Sequence, residues 1–179
     1  TVIVPADFNQ TKQATKAIAK HDGPVYLRFG RPVMPIFVQP DADFKIGKAD
    51  QIYNGTDVTI IACGHMVWKS IEATKVLKEK GISVDLINMH TIKPLDKNAI
   101  LNSIQKTGCV VTAEEHMANG GLGEAVAQVL SKNHPCPQEF IAVNDSFGES
   151  GTPMELMDKY GIGTANIVEA VEKAIERKA

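Results

Sequence analysis

The sequence lacks an excess of charge of either sign and lacks any long apolar run. Its 19 Lys and Arg residues and 21 Asp and Glu residues leave a formal net charge of −2. The two signs are interspersed, so no basic face is expected to attract nucleic acid or an anionic membrane surface. No apolar run approaches the roughly 18 residues of a membrane-spanning helix. We therefore expect a soluble globular chain with no nucleic-acid partner and no membrane partner.

Cysteine is scarce, and several catalytic motifs are missing. Cys63, Cys109 and Cys136 are far apart, and no CxxC pair or Cys/His pair has the spacing of a zinc site. We expect buried, reduced thiols, which fit a cytoplasmic location. The sequence contains no GxGxxG fingerprint, no GxxxxGK[ST] loop, no GxSxG elbow and no HExxH pair. On motifs alone, residues 57–179 show no complete catalytic constellation.

The first 30 residues predict a β-α-β unit that is incomplete by itself. The chain begins at Thr1 with neither Met nor a signal-peptide pattern, so we expect it to have been cut from something longer. Strands at 2–4 and 25–29 flank a helix near 8–20. Two strands and one helix cannot bury their own apolar faces. We expect the unit to pack on a neighbouring copy of the chain or to fold back on the linker segment after it.

Residues 32–56 differ in character from the C-terminal two thirds of the chain. Three prolines, acidic residues and the lack of a sustained hydrophobic period are typical of a linker, and short edge strands within it are the alternative. From residue 57 onward, apolar strands alternate four times with amphipathic helices. This pattern is typical of a mostly parallel sheet with helices on both faces. The predicted fold is therefore α/β and three-layered, preceded by the β-α-β unit.

The elements after residue 57 are predicted from periodicity and capping signals. Strands are expected at 58–62, 83–89, 109–113 and 140–143, with helices at about 66–80, after Asp96, from Leu122, after Thr152 and through 167–175. The helix after Thr152 begins with a capping box that has Pro153 at its first position.

Potential chemistry lies where these strands end, because ligands of open α/β sheets bind at the carboxyl ends of the strands. The residues there are Gly64-His65, His90-Thr91, Glu114-Glu115-His116 and the glycines Gly120, Gly121 and Gly123. The glycines open a helix whose free N–H groups could bind an anion, but such glycines more often permit tight packing of a helix on a sheet.

The carboxylates at the end of the third strand also have two interpretations. Glu114, Glu115 and His116 form either an acid–base cluster or a set of caps and loop contacts. Adjacent strand residues point to opposite faces, so Glu114 and Glu115 cannot both contact one substrate atom. The caps are the favoured interpretation. Convergence of His65, His90 and His116 is possible at this edge, but no spacing predicts a metal site.

Two arginines follow an apolar run in YLRFGRP, residues 26–32. Arginine carries a permanent charge on a planar fork that binds phosphate in a bidentate manner. In a regular strand Arg28 would point away from the face of Arg31, so we interpret Arg28 as structural, with an acidic partner. For Arg31, the alternative to an anion site is a surface ion pair that contributes little.

Six stretches, in this order, resemble the C-terminal part of transketolase. They are VPAD (4–7), GPVYLRFGRP (23–32), DVTIIACG (57–64), HTIKPLD (90–96), VVTAEEHMANGGLGEAVAQVL (110–130) and FGESGTPMELMDKYGI (147–162). Deoxyxylulose-phosphate synthase and the β subunits of 2-oxoacid dehydrogenases share a looser version. The resemblance implies the end of a pyrimidine-binding domain at 1–33, a linker at 34–56 and a transketolase C-terminal domain at 57–179.

The resemblance also implies a function for the parent enzyme. Transketolases move a two-carbon ketol unit between sugar phosphates of the pentose phosphate pathway, and their homodimers use thiamine diphosphate and Mg²⁺. This chain lacks the family's GDG motif and its thiamine-contacting residues, so we expect no bound cofactor and no activity without the missing N-terminal domains or subunit. The alternatives are a stand-alone assembly or effector-binding module and the C-terminal part of a 2-oxoacid dehydrogenase β subunit.

The resemblance assigns one substrate-binding residue. Arg31 stands at the position of the family arginine that binds the phosphate of the sugar substrate, and Gly30 is expected to let the chain pass close to that ligand. Pro32-Val33-Met34 departs from the residues usual in the family, which leaves the sugar specificity open. No catalytic, cofactor-binding or metal-binding residue is assigned.

Overall fold

A computed structural model describes residues 1–178, which form two β-sheets and six α-helices. The strands are β1 Val2–Ile3, β2 Tyr26–Leu27, β3 Asp50–Tyr53, β4 Val58–Ala62, β5 Val84–Asn88, β6 Thr91–Lys93, β7 Val110–Met117 and β8 Gln138–Val143. The helices are α1 Phe8–Ile18, α2 Met66–Glu79, α3 Lys97–Thr107, α4 Leu122–Asn133, α5 Pro153–Lys159 and α6 Thr164–Lys178.

The main sheet has five strands in the order β3-β5-β4-β7-β8. β5, β4, β7 and β8 are parallel, and β3 pairs with β5 in the antiparallel direction. All residues of β4 and β5 are buried, as expected for strands covered on both faces. The predicted α/β class with a mostly parallel sheet is confirmed. β3 lies inside the expected linker at the edge of the main sheet, which agrees with the alternative of short edge strands within that segment.

The core of the main sheet is divided between its two faces. One cluster packs Ile60 of β4 against Leu77 of α2 and Ile167 of α6. The other packs Ile61, the next residue of β4, against α3 and α4, with Val126 as an example. Successive strand residues thus contribute to opposite clusters, which is the alternation that a strand imposes. The result is the expected three-layer arrangement.

The small sheet has the order β2-β1-β6. β1 and β2 are parallel, as expected for a β-α-β unit, and β6 adds an antiparallel strand on the other side of β1. The unit also folds back on the linker segment, because the Asp7 carboxylate accepts hydrogen bonds from the N–H groups of Phe37 (2.8 Å) and Val38 (2.7 Å). One of the two expected arrangements, folding back on the linker, is therefore present.

Two strand boundaries differ from the sequence expectation in ways that affect the site. β7 continues to Met117, four residues beyond the expected end at 113, so Glu114 and Glu115 are strand residues. β2 ends at Leu27 rather than at residue 29. Arg28 and Arg31 therefore both lie outside the strand, so the regular strand on which their placement on opposite faces depended is not present.

Candidate functional site

Two adjoining cavities lie where the β-α-β unit meets the carboxyl end of the main sheet. The smaller, of about 210 Å³, is lined by Val4, Arg28, Phe29, Gly30, Cys63, Gly64, His65 and Glu115. The larger, of about 490 Å³, is lined by Pro5, Ala6, Asp7, Phe8, Thr11, Phe29, Gly30, Arg31, Pro32, Val33, Met34, Ile36 and His65. Phe29, Gly30 and His65 belong to both linings, so the cavities form one cleft.

Arg31 lines the larger cavity, and its side chain is exposed. Within residues 1–178, no carboxylate lies within ion-pair distance of its guanidinium, and the side chain makes no hydrogen bond there. Apart from Arg31 itself and from Asp7, Thr11 and His65, the residues that line this cavity have apolar side chains or none. The Asp7 carboxylate is already engaged by the N–H groups of residues 37 and 38. Arg31 thus lines the cleft with no carboxylate of residues 1–178 within ion-pair distance to compete for its five donors.

Arg28 is half-buried and lines the smaller cavity. Its Nη1 donates a hydrogen bond of 2.7 Å to the backbone carbonyl of Glu115. The structural interpretation of Arg28 is supported, but the expected acidic partner is wrong, because the acceptor is a carbonyl and not a carboxylate. This bond joins the end of β2 to β7.

His65 is buried where β4 passes into α2. Its Nδ1 lies 3.1 Å from Oε2 of Glu115, and its side chain is only 8% exposed. The ring also occupies the space beside Gly30, where an added Cβ would lie 1.9 Å from Cε1. The close neighbour that Gly30 permits in this structure is the His65 ring, whereas the sequence pattern had suggested a ligand in that space.

The three histidines at the strand ends do not converge. His90 is buried, with Nδ1 3.0 Å from Thr91 Oγ1 and its ring 4.2 Å from that of Phe44. His116 Nδ1 lies 2.8 Å from the carbonyl of Met117. Among residues 1–178, no group of three or more His, Cys, Asp or Glu side chains is placed to bind a metal ion.

A carboxylate of the protein itself occupies the glycine-rich N-terminus of α4. The buried carboxylate of Glu114 accepts hydrogen bonds from the N–H groups of Leu122 (2.7 Å) and Gly123 (2.8 Å). A Cβ at Gly121 would lie 2.3 Å from Oε2 of Glu114. The glycines therefore permit close approach of a capping carboxylate, and Glu115 points to the other face toward His65. Both features agree with the interpretation favoured from the sequence, in which these carboxylates serve as caps and loop contacts.

The three thiols are free, and two of them are buried. Burial raises the pKa of Cys63 to about 12 and that of Cys136 to about 11. The reactive form of cysteine is the thiolate, which these environments disfavour. Cys63 therefore contributes an apolar wall to the smaller cavity.

Comparison with known families decides the identity of this fold. A family model described as "Transketolase, C-terminal domain" matches residues 47–167, which is more than half of the chain. The chain belongs to the transketolase C-terminal domain family. The match begins just before β3 and includes the whole main sheet, so the antiparallel edge strand lies within the matched family region.

Individual relatives extend the similarity over nearly the whole chain. The 6-deoxy-6-sulfo-D-fructose transketolase subunit of Clostridium sp. is 43% identical over 99% of this chain, which covers 55% of that protein. A putative transketolase C-terminal section from Methanocaldococcus jannaschii is 38% identical, with 56% of its length covered. A solved structure titled "Split gene transketolase, inactive beta4 tetramer" superposes with a TM-score of 0.94 at 44% identity, covering 99% of this chain and 58% of that one. The chain thus spans a little over half the length of these relatives.

None of the helices within residues 1–178 is both long and apolar enough to cross a membrane. The cleft is lined by the β-α-β unit on one side and by the transketolase C-terminal domain on the other, so this chain contains both of its sides.

Proposed function

We propose that this chain is the C-terminal part of a thiamine-diphosphate-dependent transketolase that transfers a two-carbon ketol unit between sugar phosphates. Three observations support this: the family match, relatives described as transketolase subunits, and a cleft whose exposed guanidinium has no carboxylate of residues 1–178 within ion-pair distance. The proposal includes the division into 1–33, 34–56 and 57–179, a cytoplasmic location and a place in the pentose phosphate pathway.

Arg31 is proposed to bind the phosphate of the sugar substrate. A planar guanidinium at the mouth of a largely apolar cavity favours a tetrahedral oxyanion at one end of a ligand. The Clostridium relative is described as acting on a sulfonated sugar, and a sulfonate offers the same three-oxygen face as a phosphate. Assays with both a sugar phosphate and a 6-sulfo sugar would therefore determine which anion the cleft prefers.

The described residues do not fit the cofactor's diphosphate and metal. No carboxylate cluster for a divalent ion lies within residues 1–178, and the glycine-rich helix start already binds Glu114. We place thiamine diphosphate and Mg²⁺ in the remaining part of the enzyme. This chain's proposed contributions are substrate positioning and subunit assembly.

The surface around the cleft supports the assembly role. Phe8, Phe29, Val33 and Ile36 line the larger cavity and are 66%, 59%, 99% and 58% exposed. Contiguous apolar side chains of this kind mark surfaces that a partner covers. The proposed partner is the missing N-terminal portion, within a homodimer of complete enzymes. On this proposal the chain alone is inactive.

Reconstitution tests the proposed function. The chain, combined with the cofactor-binding N-terminal part, is expected to convert xylulose 5-phosphate and ribose 5-phosphate, and neither part alone is expected to do so. Turnover of pyruvate or a branched oxoacid, with none of the sugar phosphates, would replace the proposal with a 2-oxoacid dehydrogenase β subunit. Association without any turnover of either class would leave the assembly module as the better description.

A further inference from the structure

Arg31 lies in a segment with little internal support. We define residues 29–36 as the arginine loop. None of its N–H or carbonyl groups makes a hydrogen bond within the part of the chain that the structure describes. Its ends are fixed, because the Arg28 N–H bonds to β1 at 2.9 Å and the N–H groups of residues 37–38 bond to Asp7. Between these points, the conformation of the loop depends on packing.

The packing contact next to Arg31 comes from the C-terminal domain. Gly30 lies against the buried ring of His65, leaving no room for a Cβ. The Glu115 carboxylate lies 3.1 Å from Nδ1 of this ring, and Arg28 in turn donates a hydrogen bond to the carbonyl of Glu115. A rigid support of this kind is needed because a binding group that is free to rotate loses affinity through conformational entropy.

We propose that His65 is a positioning residue, which, buried between Glu115 and Gly30, fixes the arginine loop and thereby directs the Arg31 guanidinium into the larger cavity. The inference rests on the proposed role of Arg31 and extends it, because it gives the C-terminal domain a part in substrate recognition. His65 is not expected to touch the substrate phosphate, so its effect must pass through Arg31.

A double-mutant cycle in the complete enzyme tests this inference. His65→Ala is expected to raise the KM for ribose 5-phosphate by roughly fivefold or more, with a smaller change in kcat. In an Arg31→Ala background, His65→Ala should add less than about a twofold rise, because the group it positions is absent. An equal rise in both backgrounds would overturn the positioning role alone. No effect of Arg31→Ala by itself would instead overturn the proposed phosphate site and the inference with it.

Gly30→Ala provides a second route that removes no buried group. The new methyl group would collide with the His65 ring and displace the arginine loop, so the KM for ribose 5-phosphate should rise. Adding His65→Ala makes room for the methyl group but also removes the support, so the double variant should have a KM close to that of His65→Ala alone. A Gly30→Ala enzyme with unchanged KM would overturn the inference.

His116→Ala is the matched control, because His116 bonds a neighbouring carbonyl and does not line either cavity. It is expected to leave the KM unchanged. Thermal unfolding of each variant verifies that it is folded before kinetics are compared.

Discussion

Glu114 and Glu115 are adjacent on β7, and their carboxylates serve opposite faces of the main sheet. Glu114 is buried and caps α4, whereas Glu115 is about half exposed and lies 3.1 Å from Nδ1 of His65. A carboxylate at a helix N-terminus is stabilised by the free N–H groups and by the helix dipole. The sequence predicted the opposite directions from strand alternation. It did not predict the partner of Glu115, because 50 residues separate the two side chains in the chain.

Replacement of Glu114 tests its capping role. Glu114→Gln leaves a single oxygen acceptor for the two N–H groups and buries an amide that has no partner, so the free energy of unfolding should fall by about 1–3 kcal/mol. Urea denaturation measures it. Glu169→Gln, on the exposed face of α6, is the control and should change the value by less than about 0.5 kcal/mol. Equal losses in the two variants would contradict the assignment.

His90 and Asp50 make stability depend on pH in opposite directions. Burial lowers the pKa of His90 from 6.5 to about 4, so between these values the unfolded chain binds more protons and stability rises with pH. Burial raises the pKa of Asp50 from 3.8 to about 6, so the folded chain binds more protons and stability falls as pH rises through that window. The two slopes oppose each other between about pH 4 and 6.

Single replacements should separate these slopes. Asp50→Asn is expected to make the free energy of unfolding rise with pH more steeply than in the parent chain between pH 4 and 6. The substitution removes the opposing Asp50 slope, and it also removes the carboxylate that lies 3.8 Å from His90 Nε2 and could pair with the imidazolium. His90→Asn should make it fall with rising pH over pH 4 to 6. Denaturation at several pH values measures both. Parallel pH profiles for the two variants would show that burial does not shift these groups as described.

At the scale of elements, long periodic segments were predictable and short ones were not. The helices α2, α3, α4 and α6 each span several turns, so their apolar periodicity is long enough to predict them from the sequence. β6, only three residues long, offers no periodicity, and its pairing with β1 depends on tertiary contact. The early end of β2 has the same cause, since two residues carry no usable pattern. These short elements are the ones that place Arg28 and the arginine loop.

The connection between β3 and β4 offers a test of close packing. A Cβ at Gly55 would lie 2.3 Å from the backbone carbon of Val84, at the start of β5, so alanine must displace the main chain. Gly55→Ala should therefore lower the free energy of unfolding by about 1–3 kcal/mol or more. Gly148→Ala is the control because no atom of residues 1–178 lies within 4 Å of its added Cβ. Similar values for both variants would contradict the packing described here.

At the scale of the whole molecule, the fold class could be predicted from the alternation of apolar strands and helices. The position of Arg31 in a cleft could not be predicted. That cleft forms where the β-α-β unit packs against the main sheet, and no sequence pattern indicates this packing. The resemblance to transketolase singles out Arg31, and the structure adds that Arg31 lines a largely apolar cavity of about 490 Å³. The contact of Gly30 with His65 had no sequence signal, since 35 residues separate them.

The exposed apolar rim of the cleft should determine assembly. Val33, 99% exposed, lines the larger cavity, so Val33→Asp is expected to weaken association with the N-terminal part by burying a charge in an apolar contact. Val76→Asp, on the exposed side of α2, should leave association unchanged. Titration calorimetry or co-purification of the two parts measures the difference. Equal affinities for both variants would place the interface elsewhere.

The Arg31→Ala substitution in the complete enzyme tests the central claim most directly. The account predicts that the KM for ribose 5-phosphate rises roughly ten- to hundredfold, since a charge-assisted hydrogen bond contributes about 1.5–3 kcal/mol, while the KM for unphosphorylated ribose changes little. The KM of Arg31→Lys for ribose 5-phosphate should lie between those of the parent enzyme and Arg31→Ala, because lysine keeps the positive charge but lacks the planar guanidinium fork. Equal rises in KM for ribose 5-phosphate and ribose would contradict the phosphate-binding role of Arg31.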